Sequence, residues 1–151
     1  MLDIEFLLEN QTVIDDMPSL NHSYICSQIL RQLFANEKIE ALTELTLDID
    51  NGLTPDICVY PAEAIQPNFL HDVHKFPQMP MLAIEVISAS QNIQTLLEKA
   101  ERMIQAGIKS VWTVEPYSQT IFVTTAQGVE RVYNQAVEFQ AVKVDFQKIF
   151  N

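Results

Sequence analysis

The strongest constraint in this chain is the run MLAIEVI at residues 81–87, apolar except for one carboxylate, Glu85. A near-continuous apolar run of this length marks a strand covered on both faces, and so the centre of a sheet. A lone acid there is costly unless it is paired, protonated or metal-bound. After a short Ser-rich turn the pattern becomes helical over about 92–106, with Ile93, Leu96, Leu97, Ala100, Met103 and Ile104 on one stripe. At about 100° per residue, Lys99 falls on the border of that stripe, while Glu98, Arg102 and Gln105 point away. A border lysine can lay its stem on apolar surface and extend its ammonium along the sheet toward an acid. Gly107 follows as a C-terminal cap.

Elsewhere, residues 20–35 read as a helix capped by Ser19 or Asn21, with Leu20, Tyr24, Leu30, Leu33 and Phe34 near a stripe and Ile25 and Ile29 between them. His22, in its first turn, reads as a surface or capping residue, since nothing nearby in sequence makes a metal spacing with it. Residues 39–49 alternate as a half-buried strand, Asp50-Asn51-Gly52 signals a hairpin, and the chain returns through Pro55-Asp56 into a second apolar strand. Turn length decides what Glu44 can do. A two-residue turn pairs Leu47 with Asp56 and sends Glu44 to the opposite face, whereas a three-residue loop pairs Thr46 with Asp56 and brings Glu44 onto its face.

Residues 61–79, with three prolines and the pair His71 and His74, read as a surface loop that could serve as a lid. Three strands follow at 110–116, 119–125 and 128–133, Trp112 among them as a core residue. Residues 141–150 then form a short strand and a helical turn ending in Phe150. With residues 1–18 as a polar lead-in ended by Pro18, the expectation is one α/β domain over 1–151, a central mixed sheet flanked by helices.

The sequence is 48% hydrophobic and 19% charged, which is globular rather than disordered. Cys26 and Cys58 lie in apolar segments without a CxxC spacing and read as reduced core thiols. The first ten residues have no basic n-region, and no apolar run reaches the roughly 18 residues of a membrane span, so a soluble cytoplasmic protein is expected. The formal net charge of −11 argues against a polyanionic partner, because the nine basic residues are scattered rather than clustered. Charge alone describes a domain that repels nucleic acid.

Several chemistries are excluded. There is no GxSxG elbow, Gly-rich phosphate loop or HExxH, and three glycines are few for a nucleotide cradle. What remains is an Asp on one strand, a Glu on another and a Lys from the following helix. Two carboxylates on a stiff sheet suit Mg²⁺ or Mn²⁺, and such a set serves metal-assisted phosphodiester hydrolysis. The competing reading makes Glu85 and Lys99 a structural ion pair in a catalytically silent interaction or oligomeric module.

The segments LTPDICVYP, MLAIEVISAS and EKAERMIQAGIKSVWTVEP, taken in order, resemble the Uma2 family of restriction endonucleases, within the PD-(D/E)XK nuclease superfamily. The resemblance covers roughly residues 18–150. It implies a restriction-endonuclease-like fold and a metal-dependent endonuclease acting on nucleic acid, DNA in the first instance, with Mg²⁺ or Mn²⁺ as cofactor. Asp56 and Glu85 become the metal-binding acids, with the Val86 carbonyl as a further ligand. The superfamily's lysine two residues after the Glu is Ile87 here, and Lys99 on the helix is the match. Glu44 matches a further acid before the PD. The family's helix Tyr is Met103, its SPS turn is Ser88-Ala89-Ser90, and its Asp-Pro is Glu115-Pro116. Cutting both strands of a duplex commonly needs two sites, so a homodimer is expected.

Overall fold

The apolar run at 81–87 does lie inside the sheet: every residue from Leu82 to Val86 is buried. In the computed structural model, which describes residues 18–151, the chain runs α1 (Leu20–Phe34), β1 (Ile39–Thr43), β2 (Ile57–Pro61), β3 (Leu82–Val86), α2 (Ile93–Gln105), β4 (Ser110–Glu115), β5 (Thr120–Thr125), β6 (Gly128–Tyr133), β7 (Ala136–Phe139), β8 (Val142–Asp145) and α3 (Gln147–Phe150). Strands β1 to β6 form one sheet in chain order, and β7 pairs with β8 outside it. Among the described strands only β3 and β4 run parallel, because α2 carries the chain back between them; the other neighbours are antiparallel. The fold class is therefore mixed α/β. The lead-in expected at 1–18 lies outside the described residues, apart from the exposed Pro18.

Strand alternation divides the buried residues between two layers. Ile57, Val59, Leu82, Ile84, Val86, Trp112 and Val114 face α1 and the β7–β8–α3 unit, where Val144, Phe146 and Ile149 close the core. Cys58, Tyr60, Ala83 and Val111 face Ala100 and Met103 of α2 and the hairpin residues Leu47, Ile49 and Leu53. Both cysteines are free thiols, as expected: Cys58 is buried beneath α2, whereas Cys26 on α1 is only half-buried.

Helix α1 starts where Ser19 accepts the His22 N–H through its hydroxyl, at 3.2 Å. Its buried row is narrower than the sequence pattern suggests. Ile25, Ile29 and Leu33 are buried at i, i+4 and i+8, whereas Leu20, Tyr24 and Phe34 are exposed. Tyr24 and Phe34 each stand one residue from that row, about 100° around the helix, and so cannot reach the one sheet face that α1 covers. Helix α2 matches its expected stripe, with Asn92 as N-cap and Leu96, Ala100 and Met103 buried.

The hairpin between β1 and β2 differs from both expected turns. The ladder pairs Thr43 with Ile57, and an isolated bridge continues the same register at Leu47 and Leu53. Five residues, 48–52, make the turn, with Asp50 (φ 52°) and Gly52 (φ 112°) both in left-handed backbone. Glu44 is consequently opposite Asp56, and its N–H donates to the Asp56 carbonyl at 3.1 Å. The strand expected over 39–49 stops there, because Glu44 itself is left-handed (φ 51°) and turns the chain out of the ladder. Residues 62–80 are irregular, as anticipated, and are tied down at Phe76, whose N–H donates to the Thr46 carbonyl at 2.9 Å and whose ring meets Tyr60 edge-on. His71 and His74 are exposed. Strand β7 was not foreseen; β8 and α3 correspond to the expected strand and terminal helical turn.

Candidate metal and nuclease site

The site forms where the β2–β3 ladder ends. Backbone pairing between these strands runs from Ile57–Ile84 to Val59–Leu82. One step beyond it, at the mouth of β2, the Asp56 side chain takes over, its Oδ2 accepting the Val86 N–H at 2.7 Å. Ile87 donates its N–H the other way, to Val114 of β4 at 2.9 Å. Alternation along β3 then directs the Val86 N–H and carbonyl toward the Asp56 side.

Glu85 alternates onto the face beneath α2 and is 3% exposed. Lys99 reaches it from the helix border, with Nζ 2.6 Å from Oε1, and the same ammonium donates to the Thr54 carbonyl at 3.2 Å. Met103, where the resemblance places a tyrosine, is fully buried, and Lys99 is held between the Glu85 carboxylate and the Thr54 carbonyl. Burial pushes the Glu85 carboxyl up to about 7; Lys99 opposes this, while Asp56 adds to it by charge and by a hydrogen bond that only a protonated acid can donate. Asp56, Glu85 and Lys99 thus meet at one end of the sheet. Glu44 is exposed but lines the same cleft as Asp56.

Two residues of the cleft were not anticipated. His22 faces inward, its Nε2 3.1 Å from Asp56 Oδ2, and Cys26, one turn later, has its Sγ 3.9 Å from the same nitrogen. The bond to Asp56 raises the His22 pKa despite partial burial, with further help from Asp56, Glu85 and Glu44 as charges. Burial, then the same three acids, pushes the Cys26 thiol up to about 12. His22 is thus not the surface or capping residue expected, and Cys26 does stand at i, i+4 from it; the partner they share, far along the chain, had no signal in the spacing. No residue of the 61–79 loop is among those lining this cleft.

The donor chemistry fits a hard divalent ion: two adjoining carboxylates, one of them held high in pKa chiefly by burial, with a strand carbonyl directed to the same side. The profile of the Uma2 family, described as putative restriction endonuclease, matches residues 2–147. The chain belongs to the Uma2 family. Its match begins further toward the N-terminus than the motifs at Asp56, Glu85 and Lys99 require, extending through the lead-in.

Among solved structures, this Uma2 chain is similar to a putative nuclease belonging to DUF820 from Anabaena variabilis ATCC 29413. The TM-score is 0.73 at 22% identity, covering 89% of this chain and 82% of the other. That likeness shows a shared fold. A cryo-EM structure of a DrdV–DNA complex also matches, with a TM-score of 0.43 and 14% identity over 70% of this chain and 9% of the other. Comparison with curated proteins gives no match.

Proposed function

We propose that this Uma2 chain is a Mg²⁺- or Mn²⁺-dependent endonuclease that hydrolyses phosphodiester bonds in DNA, acting as a homodimer of single-domain subunits in the cytoplasm. The observation that carries the proposal is the convergence of Asp56, Glu85 and Lys99, from two strands and a helix, at one end of the sheet. In this reading Asp56, Glu85 and the Val86 carbonyl hold the ion. When bound, it supplies a water of lowered pKa and polarises a phosphoryl oxygen. Lys99, steadied by the Thr54 carbonyl, orients the attacking water and offsets the charge that develops on phosphorus. Glu44 acts from the cleft wall as an additional acid. The family supports nuclease chemistry of this kind.

Full-length protein carrying Asp56→Ala or Glu85→Ala should keep its circular dichroism spectrum and lose Mg²⁺-dependent nicking of supercoiled plasmid. Cleavage surviving either change would refute the assignment. Running plasmid, single-stranded DNA and RNA side by side, with and without metal, determines the substrate.

The Lys99–Glu85 contact at 2.6 Å also supports a second reading, in which the pair is structural and the fold serves as a catalytically silent interaction module. A net charge of −11 favours it. That reading predicts no heat on titrating Mg²⁺ or Mn²⁺ into the protein, whereas the nuclease reading predicts saturable binding that Glu85→Ala abolishes.

A further inference from the structure

We infer that His22, Cys26 and Asp56 form a binding site for a thiophilic divalent cation of the Zn²⁺ or Co²⁺ class, which shares Asp56 with the Asp56–Glu85 pair and adds an imidazole and a sulfur to it. One imidazole, one sulfur and one carboxylate oxygen lie within 4.8 Å of one another. In a tetrahedral site with metal–nitrogen and metal–oxygen distances near 2.0–2.2 Å and metal–sulfur near 2.3 Å, neighbouring donors stand about 3.3–3.6 Å apart. The separations of 3.1 Å between His22 Nε2 and Asp56 Oδ2 and 3.9 Å between His22 Nε2 and Cys26 Sγ straddle that span. Shifts of a few tenths of an ångström would bring His22 Nε2 to coordination spacing from both of its neighbours.

The scaffold is already rigid. His22 and Cys26 project from one face of α1 at i, i+4, and the buried row of Ile25, Ile29 and Leu33 fixes that helix against the sheet. Asp56 is anchored from its other side by the Val86 N–H. Little conformational entropy remains to be lost on binding. Sulfur decides the class of ion: a thiolate ligand favours zinc-like metals over Mg²⁺, for which oxygen donors are preferred. Three protein donors among the described residues leave one tetrahedral position for water, the count of a reactive rather than a closed structural zinc site. Asp56 is common to this site and the proposed nuclease set, whereas Glu85 takes no part, so the sulfur and imidazole ligation are what distinguish the two.

Cobalt is the probe. Co²⁺ titrated anaerobically into the metal-free full-length protein should give, at one ion per chain, the visible bands of a tetrahedral ion and a thiolate-to-cobalt charge-transfer band in the near ultraviolet. Cys26→Ser should remove the charge-transfer band, and Cys58→Ser and Glu85→Gln should leave it. Zn²⁺ affinity, measured by competition with a chromogenic chelator, should fall in His22→Gln by at least the roughly 10–100-fold that loss of even an outer partner costs. The inference is overturned if wild-type protein shows no thiolate band, if the band survives Cys26→Ser, or if it disappears in Cys58→Ser. Unchanged Zn²⁺ affinity in His22→Gln overturns it as well.

Discussion

Replacing Glu85 by Gln should stabilise the metal-free protein at alkaline pH, although it removes one partner of an ion pair. Glu85 is 3% exposed, and burial, only partly opposed by Lys99, raises its carboxyl from 4.5 to about 7. Folding therefore favours the protonated acid. Its contribution to stability is whole below pH 4.5 and is lost as pH rises through about 7. At about 1.4 kcal/mol per pH unit, the interval from 4.5 to about 7 corresponds to about 3 kcal/mol. Gln has nearly the same shape and cannot ionise, so it escapes this loss. Lys99 at 2.6 Å does not reverse the sign, because attraction across a desolvated pair need not repay the removal of both charges from water. Urea unfolding in EDTA should find the two proteins close in stability near pH 4.5 and the variant ahead by about 3 kcal/mol at pH 8, on the order of 10 °C in Tm for a chain of this size. Under the proposed function Mg²⁺ narrows the gap, since an ion held at about 100 times its Kd adds about 2.7 kcal/mol to the wild type alone. Parallel stability profiles across this pH range in EDTA, or a variant that is weaker at pH 8, would refute the electrostatic argument.

Three further changes probe the supports of the site. Met103→Ala should cost about 2–5 kcal/mol by chemical denaturation, because the side chain is fully buried on the inner face of α2, the helix that carries Lys99, and its loss leaves a cavity there. Ser19→Ala should cost about 1 kcal/mol by removing the cap on the His22 N–H, and hydrogen exchange should quicken first in the opening turn of α1. Gly52→Ala should cost about 1–2 kcal/mol in the same assay, since a Cβ at φ 112° is strained and would sit 3.2 Å from Thr46 Cγ2.

The sheet was largely legible because its strands announce themselves by burial. The MLAIEVI run could only be an inner strand, and the strands at 110–116, 119–125 and 128–133 appear within a residue or so of their expected bounds. Helix α2 was equally clear, since a single residue type, Lys99, interrupts the edge of an otherwise regular stripe. Helix α1 was harder. Leu20, Tyr24 and Phe34 widen its apparent apolar face, but hydrophobicity cannot say which of several adjacent rows the sheet will cover. Strand β7 escaped notice because AVEF is short and, among the described residues, pairs only with β8, so it offers no long alternating segment.

The site was legible in inverse proportion to how far its geometry depends on turns. Lys99 needs only helical periodicity to be aimed at the sheet, and Glu85 needs only the parity of its strand. Glu44 depends on loop length: neither a two-residue nor a three-residue turn gives the register that a five-residue turn produces, with Glu44 opposite Asp56. Asp56 depends on where a ladder stops. Had backbone pairing between β2 and β3 continued one step further, the Val86 N–H would have gone to a carbonyl rather than to the Asp56 carboxylate. The end of pairing is thus what frees Asp56 to turn across the sheet edge, toward His22 and Cys26 on the α1 side and Glu85 on the α2 side. A residue whose strand parity assigns it to one face comes to serve both, and that is why His22 and Cys26 belong to the same cleft as the acids and could not be connected to it from sequence spacing.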